Sequence, residues 1–296
     1  MHYSNLHTHT TYSDGKHTFE ENILSAIEKH MVSLGFSDHS YTPCDTSYCM
    51  KLETYSDYVQ NVLTLKDTYK DKLPIYLGLE LDYYSAVDSV PVRTKSLGNG
   101  IHEDIYVDQK PFAANLEALA IYDYLIASVH YIIKNEICYP IDHSPEQQID
   151  CIQNAFNGDI FAMIQCYFDM LCEHVERVKP TVVGHLDVIT KFSLMPEHDE
   201  RYHEIARTAL TRILRTCPYI EVNTGAIARG LRTAPYPGSF LLKTIWESGG
   251  HVVLGSDSHH KDNLIFAFDE TIELLRHVGF DHVCMFNGHG FDSVTI

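Results

Sequence analysis

Along this chain, short apolar runs alternate with longer stretches in which apolar residues return every three or four positions. That rhythm predicts buried strands alternating with amphipathic helices. The strand-like runs are Tyr3–Leu6, Val32–Ser37, Leu73–Leu79, Tyr124–Val129, Thr181–Gly184, Tyr219–Asn223, His251–Ser256 and a short last one at Val283–Phe286. Thr18 is placed to cap a helix with Glu20 and Glu21 in its first turn and Ile23, Leu24, Ile27 and Met31 on its apolar face. Further helices are predicted over Tyr55–Tyr69, Pro145–Val178 with a break near Asn157-Gly158, Glu200–Arg215, Gly238–Glu247 and Asn263–His277. From Tyr84 to about Gln109 the pattern lapses into a polar segment, predicted as a loop insertion around 84–110 whose role as a lid stays open. A second irregular stretch carries Asp142 and His143.

No linker, low-complexity segment or internal repeat divides the chain, so residues 1–296 are expected to form one α/β domain. Seven or so strands alternating with helices indicate a parallel sheet, with a (β/α) barrel as the expected closure and an open doubly wound sheet as the alternative. In a barrel, reactive groups gather at the C-terminal strand ends. His7, His9, His39, Glu80, His130, His185, Asp257 and His259 all fall just there.

Composition narrows the function. A chain of 296 residues with 45% hydrophobic content can bury a substantial core. Its formal charge of -18, with no Lys/Arg cluster, argues against a nucleic-acid surface. No window approaches the ~20 apolar residues of a membrane span, no basic-plus-apolar leader is visible, and a cytoplasmic protein is expected. The eight cysteines include no Cys-x-x-Cys pair and are expected as free thiols, and none follows a strand end as a nucleophile would. Oligomeric state is not legible.

The candidate chemistry begins at the N-terminus. His7 and His9 are spaced i, i+2, so an extended backbone turns both imidazoles to one side, and Asp14 follows a polar turn closed by Gly15. Divalent metals favour such mixtures of imidazole nitrogen and carboxylate oxygen. Each member has an innocent alternative: His39 as part of a helix cap, Glu80 as a solvated acid, Asp257-Ser258-His259 as a polar turn. Jointly, many polar groups at one barrel end would be costly without something to coordinate them. Glu80 is suited to bridge two ions. His30, His174, His198, His203, His277 and His282 are expected at the surface or at helix ends.

The segments His7-Thr-His9-Thr-x-x-Ser-Asp14-Gly, Ser37-Asp38-His39, Gly78-Leu-Glu80, Ser128-Val-His130, Gly184-His185-Leu-Asp187 and Gly255-Ser-Asp257-Ser-His259 resemble the ordered motifs of the PHP family, named for polymerase and histidinol phosphatase. Ala127-Ser-Val-His130-Tyr, Val183-Gly-His185-Leu-Asp-Val-Ile-Thr-Lys191-Phe and Glu221-Val-Asn223-Thr-Gly further resemble its histidinol-phosphate phosphatase branch. The resemblance implies a distorted seven-stranded TIM-like barrel with a trinuclear site, and a histidine-rich mixed donor set accepts Zn, Mn, Fe or Co. The resemblance would give His7, His9, Glu80 and Asp257 to the first ion, Asp14, His39 and His259 to the second, and Glu80, His130 and His185 to the third. Relatives in that branch often carry histidine where Asp14 aligns, so His17 is an alternative ligand.

The implied activity is hydrolysis of a small phosphomonoester, L-histidinol phosphate, by water bridging two metals. Asp257, His259 and Arg229 are the expected catalytic group. Arg229 and Arg232 are expected to bind phosphate, and Asn223 and Asp142 the amine or imidazole. The alternatives are a phosphodiesterase or nuclease on short nucleotides, and a metal-binding barrel without catalysis.

Overall fold

The computed structural model describes residues 3–83, 94–105 and 116–296. Seven parallel strands form the central sheet: β1 (Ser4–Asn5), β2 (Ser33–Phe36), β3 (Ile75–Asp82), β6 (Tyr124–Ser128), β9 (Val182–Val183), β10 (Tyr219–Asn223) and β11 (His251–Gly255), neighbours in that order. Between them β4 (Thr94–Gly98), β5 (Ile101–Asp104), β7 (Tyr131–Lys134) and β8 (Ile137–Pro140) build a second sheet of order β5-β4-β8-β7. The first and last strands meet through the parallel bridge Thr8 to Ser258, where His9 N–H donates to the Ser258 carbonyl at 2.9 Å and Ser258 N–H to that of His7 at 3.1 Å. The sheet is thus a nearly closed, distorted barrel, fastened at its C-terminal rim.

The helices follow from the predicted signals. Thr18 caps α1 (Phe19–Glu28) in a full capping box with Glu21, which satisfies two orphan backbone donors. α2 (Tyr55–Tyr69) covers β3, burying Tyr55, Tyr58, Val62 and Tyr69. The long helical region breaks where expected, with Asn157 at φ 52° and Gly158 at φ 83°, dividing α3 (Pro145–Asp150) and the π turn Cys151–Ala155 from α4 (Ile160–Val178). α5 (Glu200–Ile213), α6 (Gly225–Ala228), α7 (Ser239–Glu247) and α8 (Phe268–Val278) complete the surround. Among the described residues no helix is long and apolar enough to cross a membrane.

Three expectations need correction. The predicted loop insertion is in part ordered sheet: residues 94–104 form the β4–β5 hairpin, joined to β8 in parallel, while residues 84–93 and 106–115 lie outside the described residues. The irregular stretch after His130 begins as the β7–β8 hairpin, its turn made by Asn135 and Glu136 in the left-handed region. The C-terminus adds β12 (His282–Phe286) and β13 (Phe291–Thr295), an antiparallel pair in which only the first strand was expected. Their alternation was short and half-polar, so it carried little periodic signal.

Inside the barrel, Leu6, Tyr124, Ile126, Val182 and Val253 pack with Cys284 and Phe286 of β12. Tyr124 crosses this interior with its hydroxyl on the Leu6 carbonyl. A Cβ on Gly78 would lie 2.1 Å from the Tyr124 ring, so the absent side chain is what admits the ring. Gly78→Ala is expected to lower the unfolding free energy by about 1–3 kcal/mol or more by overpacking, measured as a shift in the urea midpoint; an unchanged midpoint would mean that the ring moves freely aside.

Candidate metal centre

The strand ends bring the nine expected ligand residues into contact. Four overlapping groups have ligand atoms within 4.8 Å of one another: His9, Asp14, His39 and His259; His7, Glu80 and His185; His7, His9 and Asp257; His39, Glu80 and His130. His7 and His9 both point inward, as their spacing on the extended segment after β1 predicts. Asp14 folds back over them because Gly15 packs directly on the His9–Thr10 backbone, where a Cβ would lie 2.4 Å from the His9 carbonyl.

His7, His9, His39 and Glu80 each belong to two of these groups, and Glu80 faces the most imidazoles. Its Oε2 lies 2.8 Å from His39 Nδ1, 3.2 Å from His7 Nε2 and 3.5 Å from His9 Nε2, while Oε1 lies 3.0 Å from His185 Nε2 and 3.5 Å from His130 Nε2. Asp257 also faces two ways. Its Oδ1 is 3.2 Å from His9 Nε2, and its Oδ2 accepts from Arg229 Nη2 at 3.0 Å. Asp257 adopts φ 47°, a left-handed strain of the sort that functional sites hold in place. His259 Nε2 closes the far side, 3.1 Å from Asp14 Oδ2.

The electrostatics divide the ligands: burial opposes charge on His7, His39 and His130, but the carboxylates beside them outweigh it and raise all three, His130 to about 10, so a bound cation would take the place of protons there. Burial lowers His9, and the neighbouring His259 and His39 lower it further, to about 3, leaving a neutral imidazole with a free lone pair. Burial alone would raise Glu80 and Asp257, but the imidazoles around Glu80 and, for Asp257, Arg229 first, hold both carboxyls well below their usual range. His7 Nε2, both nitrogens of His9 and Asp14 Oδ1 are buried without a hydrogen-bond partner. Buried polar atoms left so are costly, and divalent cations are the partners this donor set suits. His17 is elsewhere: its ring packs edge-on to His260 and its Nδ1 is 3.6 Å from Glu21, outside all four groups.

A cavity of about 530 Å³ opens over the cluster, lined by Asp14, His39, His130, His185, Asp257, His259 and Arg229. Asp142 lies on its wall, paired with Lys191 Nζ at 3.1 Å. Two expected substrate contacts do not reach it. Arg232 binds Thr190 and Glu197 and lies over the Tyr236 ring. Asn223 is fully buried, its amide spent on Glu221 and on the Gly225 N–H. His174 is likewise no surface histidine: it is buried in α4 with Nε2 2.9 Å from the Leu81 carbonyl, and burial first among the causes lowers it to about 4. Its partner lies 93 residues away, so helical spacing concealed it.

Other supporting groups were not assigned roles from sequence. Asp38 accepts from Thr10 N–H, Ser13 N–H and Ser13 Oγ at 2.8, 3.1 and 2.6 Å, pinning the loop between His9 and Asp14. Asp82 accepts the His130 N–H at 3.1 Å, approaches His130 Nδ1 at 3.2 Å and takes the Tyr48 hydroxyl at 2.6 Å. The sequence signal for Asp82 was its place two residues beyond Glu80, on the same face of β3. Lys191 sat in view within a quoted motif. Tyr48 had no signal, because its loop has no period.

Residues 5–225 match the family model described as PHP domain. The chain is 27% identical to a "Probable histidinol-phosphatase" of Schizosaccharomyces pombe, over 96% of this chain and 90% of that one. It is 22% identical to the histidinol-phosphatase of Saccharomyces cerevisiae, over 94% and 91%. Among solved structures, that of the Lactococcus lactis histidinol phosphate phosphatase, complexed with zinc, L-histidinol and phosphate, matches with a TM-score of 0.64 at 19% identity, covering 98% of both chains. At that identity the likeness speaks for the fold.

Arg232→Ala is expected to lower the unfolding free energy by about 1–3 kcal/mol, the range for charged hydrogen bonds, and to leave uptake of divalent metal intact. Denaturation set beside metal analysis checks this; full stability together with impaired metal uptake would place Arg232 back at the centre.

Proposed function

The chain belongs to the PHP domain family, and from that premise we propose that it is a cytoplasmic, metal-dependent phosphomonoesterase that hydrolyses L-histidinol phosphate to L-histidinol and phosphate. The observation that carries the reading is the convergence of six imidazoles and three carboxylates, with unpartnered buried ligand atoms, under a cavity edged by Arg229. Relatives named histidinol-phosphatase, matched over nearly their whole length, support the substrate.

The donor set fits three divalent ions, zinc, manganese or iron. His7, His9, Glu80 and Asp257 would hold the first, Asp14, His39 and His259 the second, and Glu80, His130 and His185 the third. His9 stands between the first two groups, 4.0 Å from Asp14. Ions bound there supply Lewis acidity, which lowers the pKa of water and offsets charge on phosphoryl oxygens.

The chain's own groups supply the rest. Arg229 donates to a phosphoryl oxygen where negative charge is held in the transition state. Its guanidinium is held for this by Asp257 Oδ2 at 3.0 Å. Asp257 thereby couples phosphate binding to the ligand cluster. Asp142 meets the ammonium or imidazole of the substrate. Burial opposes its charge, but Lys191 and then His130 outweigh that and hold it at about 2, so it is anionic at neutral pH. The cavity volume is that of a small-molecule site.

Phosphate release from L-histidinol phosphate, a general phosphomonoester and a dinucleotide is to be measured on protein of known metal content. A strong preference for histidinol phosphate, abolished by chelation, is expected. Faster dinucleotide cleavage would make this a diesterase, and no turnover at full metal occupancy a silent barrel. Arg229→Ala is expected to reduce kcat by roughly 10²-fold, as loss of one transition-state donor does, with metal retained; unchanged kcat and KM would remove the arginine from the mechanism.

A further inference from the structure

One carboxylate, that of the Glu221-Val-Asn223-Thr-Gly segment, takes no part in the proposed chemistry. Glu221 sits on β10 inside the barrel, 2% exposed, beneath the ligand cluster and out of reach of the cavity. Its Oε1 lies 2.7 Å from His7 Nδ1. Its Oε2 accepts the backbone N–H of His185 at 2.8 Å and the side-chain amide of Asn223 at 2.9 Å. One buried group therefore touches two members of the cluster that lie 178 residues apart in the chain, His7 through its ring and His185 through its backbone.

The surroundings are shaped to hold it. A Cβ on Gly255 would lie 1.9 Å from Glu221 Oε1, so glycine in the Gly255-Ser256-Asp257 motif is what admits the carboxylate. Three donors converge on an acceptor-only group, which leaves its orientation no freedom. A carboxylate on one imidazole nitrogen keeps the proton there and aims the other nitrogen's lone pair. Here the other nitrogen is His7 Nε2, buried, unpartnered and 3.2 Å from Glu80 Oε2.

We propose that Glu221 is the positioning residue of the centre, holding His7 with its proton on Nδ1 and Nε2 presented to metal, and locking the His185 strand end to the same anchor. This rests on reading the cluster as a metal centre. Glutamine at 221 keeps the volume but offers one acceptor oxygen and an NH2 group to three donors, so at least one contact is lost.

The test compares the parent protein with Glu221→Gln in a zinc competition titration against a chelator, with kcat and KM on the best phosphomonoester and circular dichroism to confirm folding. Glu221→Gln is expected to lose zinc at ~10–100-fold lower chelator concentration, the usual effect of losing such a partner, and to lower kcat with KM little changed. Equal zinc retention and equal kcat in a folded variant would overturn the proposal, as would a loss confined to thermal stability. A second measurement needs no variant: ring ¹⁵N NMR of the zinc-loaded parent, with the His7 signal identified by its absence in His7→Gln. It is expected to show Nδ1 protonated and Nε2 metal-bound, and the reverse assignment would overturn the inference. A parent that takes up no zinc, manganese or iron would instead defeat the metal-centre reading itself, and Glu221 as its anchor with it.

Discussion

The structure depends on a single buried carboxylate, Glu80, facing five imidazoles. With His39, His7 and His9 on one oxygen and His185 and His130 on the other, it joins strand ends from both sides of the barrel. Remove its charge and the five imidazoles lose the one carboxylate common to them all, leaving Glu221, Asp82, Asp257 and Asp14 each against only some of them. Remove the imidazoles and a carboxylate 1% exposed would be stranded in apolar surroundings. Neither half is tolerable alone, and the unpartnered nitrogens of His7 and His9 are what the proposed cations would satisfy.

Barrel closure and site construction are one event. The bonds that fasten the last strand to the first run between His7, His9 and Ser258, inside the ligand motifs themselves. The short β1 contributes little ladder of its own, so the rim does the fastening that a longer strand would otherwise provide. The buried acids Asp38, Asp82 and Glu221 form a layer beneath and beside the ligands, each taking up backbone donors of a ligand-bearing segment. Geometry at the centre is thus set by hydrogen bonds to backbone, which leave less freedom than side-chain packing alone.

The second sheet gives the cavity its asymmetry. Tyr131 and Pro140 bring β7 and β8 to the cavity wall, and Lys95 of β4 reaches Asp45 on the adjoining loop at 2.8 Å. Arg229 and Lys191 contribute positive charge, while Asp45 and Asp142 contribute negative charge. A wall carrying both signs is compatible with the small zwitterionic phosphoester of the proposed reading.

Alternating apolar runs and amphipathic stretches were enough to infer a barrel, because strand and helix periods are local and survive without tertiary context. The ligands were legible for a related reason: each follows a strand end, and a parallel barrel sends all such ends to one rim. The roles of Arg232, Asn223 and His174 were not legible, since whether a polar side chain faces a cavity or a buried carbonyl depends on contacts far along the chain. The polar stretch from 94 to 104 hid a hairpin because β5 is a fully exposed edge strand and β4 buries only Ser96 and Gly98, so neither shows apolar alternation. Sequence by itself determined the fold class and which residues could meet at the centre, through periodicity and the order of motifs. Only the tertiary structure decided how they share Glu80, which acids stand behind them and which cations reach the cavity, because those depend on distances between strands that no spacing along one chain encodes.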